Sequence, residues 1–152
     1  MPESVIIYTD GGCRYNPGPA AIGVLVQDTS GTKLAAISRY LGHGTNNQAE
    51  YHAVIAGLEK ALSLGASRVE VRADSLLIVE QLNGRYKVKN AVLRPLFLKA
   101  QNLSQRFQSF SVKHIPREMN NEADRLANQA LDAHTAERSG PGLNACQATL
   151  DL

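Results

Sequence analysis

Four carboxylates stand where a folding chain does not leave a bare charge. Asp10 and Asp74 close two short apolar and β-branched runs, Val5–Thr9 and Val69–Ala73, while Glu50 and Asp124 fall on the apolar stripes of two helical patterns. An unpaired carboxylate in such a place costs several kcal/mol. A fold that admits all four must bring them cations, and that requirement restricts the chain more than its composition does.

Thr45 and Gln48 are spaced as a capping box, and Val54, Leu58, Ala61 and Leu62 then recur at helical period. Glu50 precedes Val54 by four residues and Leu58 by eight, so it projects from the face those residues bury. Asp124 precedes Ala127 by three and Leu131 by seven and is turned inward in the same way. In an open α/β sheet the strand ends carry the chemistry, because loops and helix termini gather polar groups there without interrupting the ladder. Alternation puts Asp74 on the side of Glu70 and Arg72, which predicts a strand-end position and not a buried one.

Each acid taken singly also has a plain structural reading. Asp10 before Gly11-Gly12 fits a turn, Asp74 before Ser75 a helix cap, Glu50 a first-turn acid favoured by the helix dipole, and Asp124 a partner for Arg125 or Arg117. Four such coincidences in one chain favour a shared site.

A chain of 152 residues suffices for one domain with its own core. No apolar run approaches the roughly 20 residues that span a bilayer, and the N-terminus enters a strand without a signal-peptide pattern. The expectation is a complete, cytoplasmic protein with no membrane partner and, by default, a monomer. Cys13 and Cys146 are the only cysteines, too few for a disulfide framework or a zinc site, although a single Cys13–Cys146 link stays open. Cys13 lies in a turn beside Asp10, where it packs, touches a substrate or is an ordinary loop residue.

The net charge of +2 understates the basic surface, because setting the four acids aside as ligands leaves ten acids against sixteen Lys and Arg. From Gln81 to Arg117 there is no Asp or Glu, and that stretch holds eight of the sixteen positive charges, Lys87 and Lys89 among them. A basic run alone is often only a solvated face. Beside an acidic metal centre it points to a polyanionic substrate.

The order of elements predicts strands at Val5–Asp10, Ala20–Gln27 and Lys33–Leu41, with a turn-rich loop over Gly11–Pro19. A helix over Asn46–Leu64 follows, stopped by Gly65, and Arg68–Asp74 returns as a strand parallel to the first. Helices over Ser75–Leu82, Ala91–Phe107 and Asn121–Ala133 and a strand over Ser109–Ile115 complete an α/β fold, a mixed five-stranded sheet flanked by helices. The domain is expected over residues 1–133. Ser139-Gly140-Pro141-Gly142 interrupts any helix, so residues 134–152 are expected to be a flexible or irregularly docked tail.

Four blocks then resemble type 1 ribonuclease H. They are Tyr8-Thr9-Asp10-Gly11-Gly12-Cys13 with Asn16-Pro17-Gly18-Pro19, Thr45-Asn46-Asn47-Gln48-Ala49-Glu50, Ala73-Asp74-Ser75, and Asn121-Glu122-Ala123-Asp124-Arg125-Leu126-Ala127, in the family's order. The resemblance implies the ribonuclease H fold with strand order 3-2-1-4-5. It implies hydrolysis of the RNA strand of an RNA–DNA hybrid, giving 5′-phosphate and 3′-hydroxyl ends, with uses in primer removal and R-loop resolution. It also implies two Mg²⁺ or Mn²⁺ ions about 4 Å apart. Asp10 would bridge them, Glu50 and Asp74 would complete one site, and Asp124 the other.

The same resemblance places Asn16, Asn46 and Asn47 against the RNA strand, Cys13 there through its backbone, and Thr45 at a DNA phosphate. The family's histidine before the last acid has no clear counterpart. His114 lies in the predicted strand, where a packed or hydrogen-bonded role fits better, so Arg117 in the Pro-Arg-Glu loop is the candidate, acting electrostatically because arginine stays charged. Two departures weaken the likeness. Leu76 and Glu80 stand where many bacterial members carry glutamines, and the short Asn83–Asn90 segment replaces the basic, tryptophan-containing insertion that binds the DNA strand in some members. Lys87, Lys89 and Arg94 would replace it in part, with weaker hybrid affinity. The alternatives are a transposase or junction resolvase on the same scaffold, a binding module without catalysis, and one half of a longer fusion.

Overall fold

Five segments rich in β-branched and apolar residues pair into one sheet. The computed structural model describes residues 3–139, with side chains as far as Thr135. Its elements are β1 (Ser4–Cys13), β2 (Gly18–Asp28), β3 (Lys33–Gly44), α1 (Asn46–Ser63), β4 (Arg68–Ala73), α2 (Leu76–Leu82), α3 (Leu93–Ser104), β5 (Ser109–His114) and α4 (Asn121–Ser139). The strands lie in the order β3-β2-β1-β4-β5. β1, β2 and β3 form an antiparallel meander, and β4 and β5 run parallel to β1. This is the topology that the sequence predicts.

Helix α1 begins where the capping box sets it. Thr45 Oγ1 accepts from the Gln48 N–H at 3.2 Å, and Gln48 Oε1 accepts from the Thr45 N–H at 2.9 Å. The helix buries Val54 and Leu58 against Ile7, Val24 and Val71 of the sheet, and Ile78 of α2 and Ala100 of α3 join the same core. Helix α4 covers the other face, where Ala130 and Leu131 pack on Ala21. None of the helices among the described residues is long and apolar enough to cross a membrane.

Most element boundaries shift by a few residues from the sequence reading, α3 shortening from Ala91–Phe107 to Leu93–Ser104, and two of the shifts bear on the site. β1 does not stop at Asp10 but continues through Gly11, Gly12 and Cys13, paired with Ile22, Ala21 and Ala20. Two glycines read locally as a turn, yet β2 extends far enough to pair with them, and the ladder overrides the local preference. The turn shrinks to the residues around Tyr15, whose φ is 63° and whose side chain is 86% exposed. At the other end, α4 passes Ala133, and His134 stacks on Tyr40 with ring centroids 3.9 Å apart. The helix therefore runs six residues past its predicted end, His134 to Ser139. Residues 140–152, including Cys146 and any link from it to Cys13, lie outside the described residues.

Two bare α-carbons set how closely the helices approach. A Cβ on Gly11 would lie 2.3 Å from the Ala49 carbonyl, and one on Gly23 would lie 1.9 Å from the Ala123 oxygen. Gly11 follows Asp10, and Gly23 is Asp10's cross-strand partner. Helices α1 and α4 thus touch the sheet on either side of Asp10, and each brings its own acid with it.

Candidate active site

Asp10, in the extended β1, is 7% exposed, and Glu50, in the second turn of α1, is 6% exposed. Asp74 follows the last residue of β4 and is half-buried, the strand-end position that alternation predicts. One ligand oxygen from each of these three carboxylates lies within 4.8 Å of the others. Asp124, in the first turn of α4, lines the same open cavity of about 430 Å³ but stands outside that triad.

The plain structural readings of the acids largely fail. Asp10 sits in a ladder and not a turn, and Ser75 caps α2, its Oγ accepting from the Ile78 N–H at 3.4 Å. Glu50 lies beyond the first turn and accepts from the Gly11 N–H at 2.7 Å. Arg125 pairs with Glu122 at 2.6 Å. Only the ion pair of Asp124 with the exposed Arg117 survives, at 3.6 Å.

Gathering acids has an electrostatic consequence. Burial, and then the negative charge of Asp74, push the Asp10 carboxyl up from 3.8 to about 7. Burial and the charge of Asp10 hold Glu50 well above the ordinary carboxylate range, although the Gly11 N–H pulls the other way. The donor set is all oxygen, which suits hard divalent cations such as Mg²⁺ or Mn²⁺, and a dication would relieve the repulsion that raises both groups. The residues present fit such an ion.

Beside the acids, three side chains form a small network. Asn46 Oδ1 accepts from the Cys13 N–H at 2.9 Å, and Asn16 Oδ1 accepts from the Asn46 N–H at 3.1 Å. The Cys13 thiol lies 3.3 Å from Asn46 Oδ1, and burial pushes its pKa up, so it is not an activated nucleophile. Its backbone N–H, which the resemblance offers to substrate, is committed to Asn46. Asn46 and Asn47 border both the acidic cavity and a neighbouring one of about 540 Å³, which Asn16, Thr45 and Asn90 also line.

Lys87 and Lys89 are exposed on either side of the buried Val88 but do not line the cavity. Within the basic run, Arg85, Lys99, Lys113 and Arg117 pair with Glu80, Glu59, Glu70 and Asp124. Among the described residues Lys87, Lys89, Arg94 and Arg106 keep their charge unpaired, so half of the run's surplus is real. His114 is exposed, and its Nε2 donates to the Asp74 carbonyl at 3.2 Å, a hydrogen-bonded role.

Sequence reasoning missed several residues at the site. Asn128 lies one helical turn after Asp124 and lines the cavity, as that spacing could have shown. Arg14 also lines it, held by Asp132 and by Thr135 at 3.3 Å. Asn120 is 1% exposed, and its Nδ2 donates to Asp74 Oδ2 at 2.9 Å. An asparagine just before a helix reads as a cap, so nothing local announced that contact.

Residues 8–130 match the family model described as reverse transcriptase-like. The ribonuclease H of Pseudomonas entomophila is 32% identical over 156 residues, with 91% of this chain and all of that protein covered. The chain belongs to the ribonuclease H family. The bifunctional protein Rv2228c of Mycobacterium tuberculosis is 47% identical over 130 residues, 85% of this chain, yet the chain spans only 36% of that relative's length. Among solved structures, LC11-RNase H1 in complex with an RNA/DNA hybrid superposes with a TM-score of 0.83 at 46% identity, covering 86% of this chain and 99% of the other. The strand order and both helical layers agree with that family's fold.

Proposed function

We propose that this ribonuclease H is a metal-dependent endonuclease that hydrolyses the RNA strand of RNA–DNA hybrids. The observation that carries the reading is the convergence of Asp10, Glu50 and Asp74 within 4.8 Å on the wall of an open cavity. The hybrid named with LC11-RNase H1 supports the substrate class. In the net reaction water adds to phosphorus, the P–O3′ bond breaks, and the electron pair leaves on O3′, which takes a proton, giving 5′-phosphate and 3′-hydroxyl ends. Primer removal and R-loop resolution are the uses such an activity serves.

Asp10, Glu50 and Asp74 would hold one divalent cation, and Asp10 with Asp124 a second. Such a pair, once bound, supplies Lewis acidity for the attacking water and for the leaving oxygen. The chain's own groups do the rest. The Gly11 N–H orients Glu50, and Asp10 gives up to solvent the proton that it holds near neutral pH. Asn16, Asn46 and Asn47 line the cavities, and on this reading their amides would meet the 2′-hydroxyl that distinguishes RNA from DNA. Thr45 offers its hydroxyl side to a phosphate of the DNA strand.

Arg117 pairs with Asp124 at 3.6 Å, and a guanidinium contributes electrostatic potential and not proton transfer. Arg117→Ala is expected to lower kcat about tenfold, a cost of roughly 1.4 kcal/mol, with KM for the hybrid little changed. Unchanged steady-state constants would return the role to His114. Lys87 and Lys89 lie outside the cavity and are assigned to the phosphate track of the DNA strand. The double change Lys87→Ala and Lys89→Ala is expected to raise KM and to flatten its dependence on log salt by about one per lost phosphate contact. A salt slope equal to the wild type's would remove this segment from the binding surface.

The direct test is cleavage of an end-labelled hybrid in Mg²⁺, in Mn²⁺ and in EDTA, with matched double-stranded RNA and DNA as controls. Metal-dependent cutting of the hybrid's RNA strand alone supports the proposal. Cutting of DNA, or no cutting in either metal, overturns it.

A further inference from the structure

Asn120 touches the segments that carry three of the four acids, and it does not line the acidic cavity. Its Nδ2 donates to the Thr9 carbonyl at 2.8 Å, one residue before Asp10, and to Asp74 Oδ2 at 2.9 Å. Its own carbonyl accepts from the Asp124 N–H at 3.1 Å in the first turn of α4. The side chain is 1% exposed, so it cannot reach a hybrid lying in the cavity.

The residue type is informative. Bridging a backbone carbonyl on one strand and a carboxylate at the end of the next requires two hydrogens on one atom at short reach. An asparagine amide has them, whereas a hydroxyl has one and an ionised aspartate none. The arrangement also carries a cost, because Asn120 Oδ1 and Thr9 Oγ1 are buried with no partner among the described residues. Unpartnered buried acceptors lower stability.

We infer that Asn120 is a positioning residue that fixes Asp74 relative to Asp10 and Asp124, so that the cation site is assembled before the ion arrives. Asp10 and Asp74 repel each other when no ion is present, and a carboxylate held at Oδ2 by an N–H cannot swing out to solvent to escape. The same residue carries the start of α4, so the two halves of the site share one anchor. The inference rests on the reading of the acids as cation ligands.

The test is Mn²⁺ binding by calorimetry on the full-length protein without nucleic acid, alongside hybrid cleavage. Asn120→Ala and the isosteric Asn120→Asp are expected to weaken Mn²⁺ binding and lower kcat by about 10- to 100-fold, the range for groups that orient metal ligands. KM for the hybrid should stay at the wild-type value. In an Asp74→Asn background the further change Asn120→Ala should leave Mn²⁺ binding where Asp74→Asn alone puts it. Wild-type Mn²⁺ affinity in both single variants, or an equal loss in both backgrounds, overturns the inference.

Asp10→Asn separates this result from failure of the cation reading. If Asp10→Asn binds Mn²⁺ like the wild type, the acids are not the ligands. If it does not bind while the Asn120 variants bind normally, only the role of Asn120 falls. Should both Asn120 variants fail to fold, the wild-type side-chain amide pair of Asn120 serves in their place. Its ¹⁵N-resolved signals should move on Mg²⁺ addition and on Asp74→Asn, and signals that move in neither case overturn the inference.

Discussion

Asp10→Asn is expected to abolish hybrid cleavage, lowering the rate by about 10³-fold or more, the equivalent of roughly 4 kcal/mol or more of lost stabilisation. Asp10 is the acid common to both proposed cation sites, and it lies between Glu50 from α1 and Asp124 from α4. The same change is expected to stabilise the protein when no metal is present. The Asp10 carboxyl is raised from 3.8 to about 7, by burial first and by the charge of Asp74 second. Between these values the folded chain holds a proton that the unfolded chain has released. The stability this contributes is complete below about pH 4 and is lost as the pH rises through about 7.

Metal-free wild type should therefore melt at a lower temperature at pH 8 than at pH 5, and Mg²⁺ should restore much of the difference. Asp10→Asn should flatten the profile, with the raised Glu50 carboxyl leaving a residual slope of the same sign. Thermal unfolding followed by circular dichroism at both pH values measures this. Parallel pH profiles for wild type and variant would show that the burial of Asp10 carries no such cost. Retained cleavage by Asp10→Asn would remove the assignment of the acids to catalysis.

What the sequence made legible was whatever local periodicity or capping encodes. Thr45 and Gln48 announced the start of α1, and the stripe of Val54 and Leu58 turned Glu50 inward. Alternation put Asp74 at a strand end. The burial of Asp10 was not legible, because Gly11-Gly12 looks like a turn until β2 is there to pair with it. The basic run was visible as a segment, but half of its charges meet Glu59, Glu70, Glu80 and Asp124, acids supplied by other parts of the fold or by the segment's flanks. Asn120 was hidden most completely. Its partners Thr9 and Asp74 are 111 and 46 residues away, and only the sheet brings them together.

Gly23→Ala is expected to lower both stability and activity, although no chemistry-bearing atom is changed. The added methyl carbon would sit 1.9 Å from the Ala123 carbonyl oxygen and 2.6 Å from the Ala127 nitrogen. Both are backbone atoms of α4, so no rotamer change relieves the overlap. The helix must move off β2 or the strand must bend, and overpacking of this kind costs about 1–3 kcal/mol. Ala123 is the residue before Asp124, and Gly23 is paired with Asp10, so the displacement falls between two of the acids. A loss of kcat is expected beyond the loss in folded fraction. Gly44→Ala is the matched control: its nearest neighbour is a side-chain atom, the Gln48 Oε1 at 3.4 Å, and no backbone atom of a helix lies closer. Melting temperature and hybrid cleavage measured on both variants decide the matter. If Gly23→Ala behaves like Gly44→Ala, α4 has freedom on the sheet, and close backbone packing is not what sets the distance from Asp10 to Asp124.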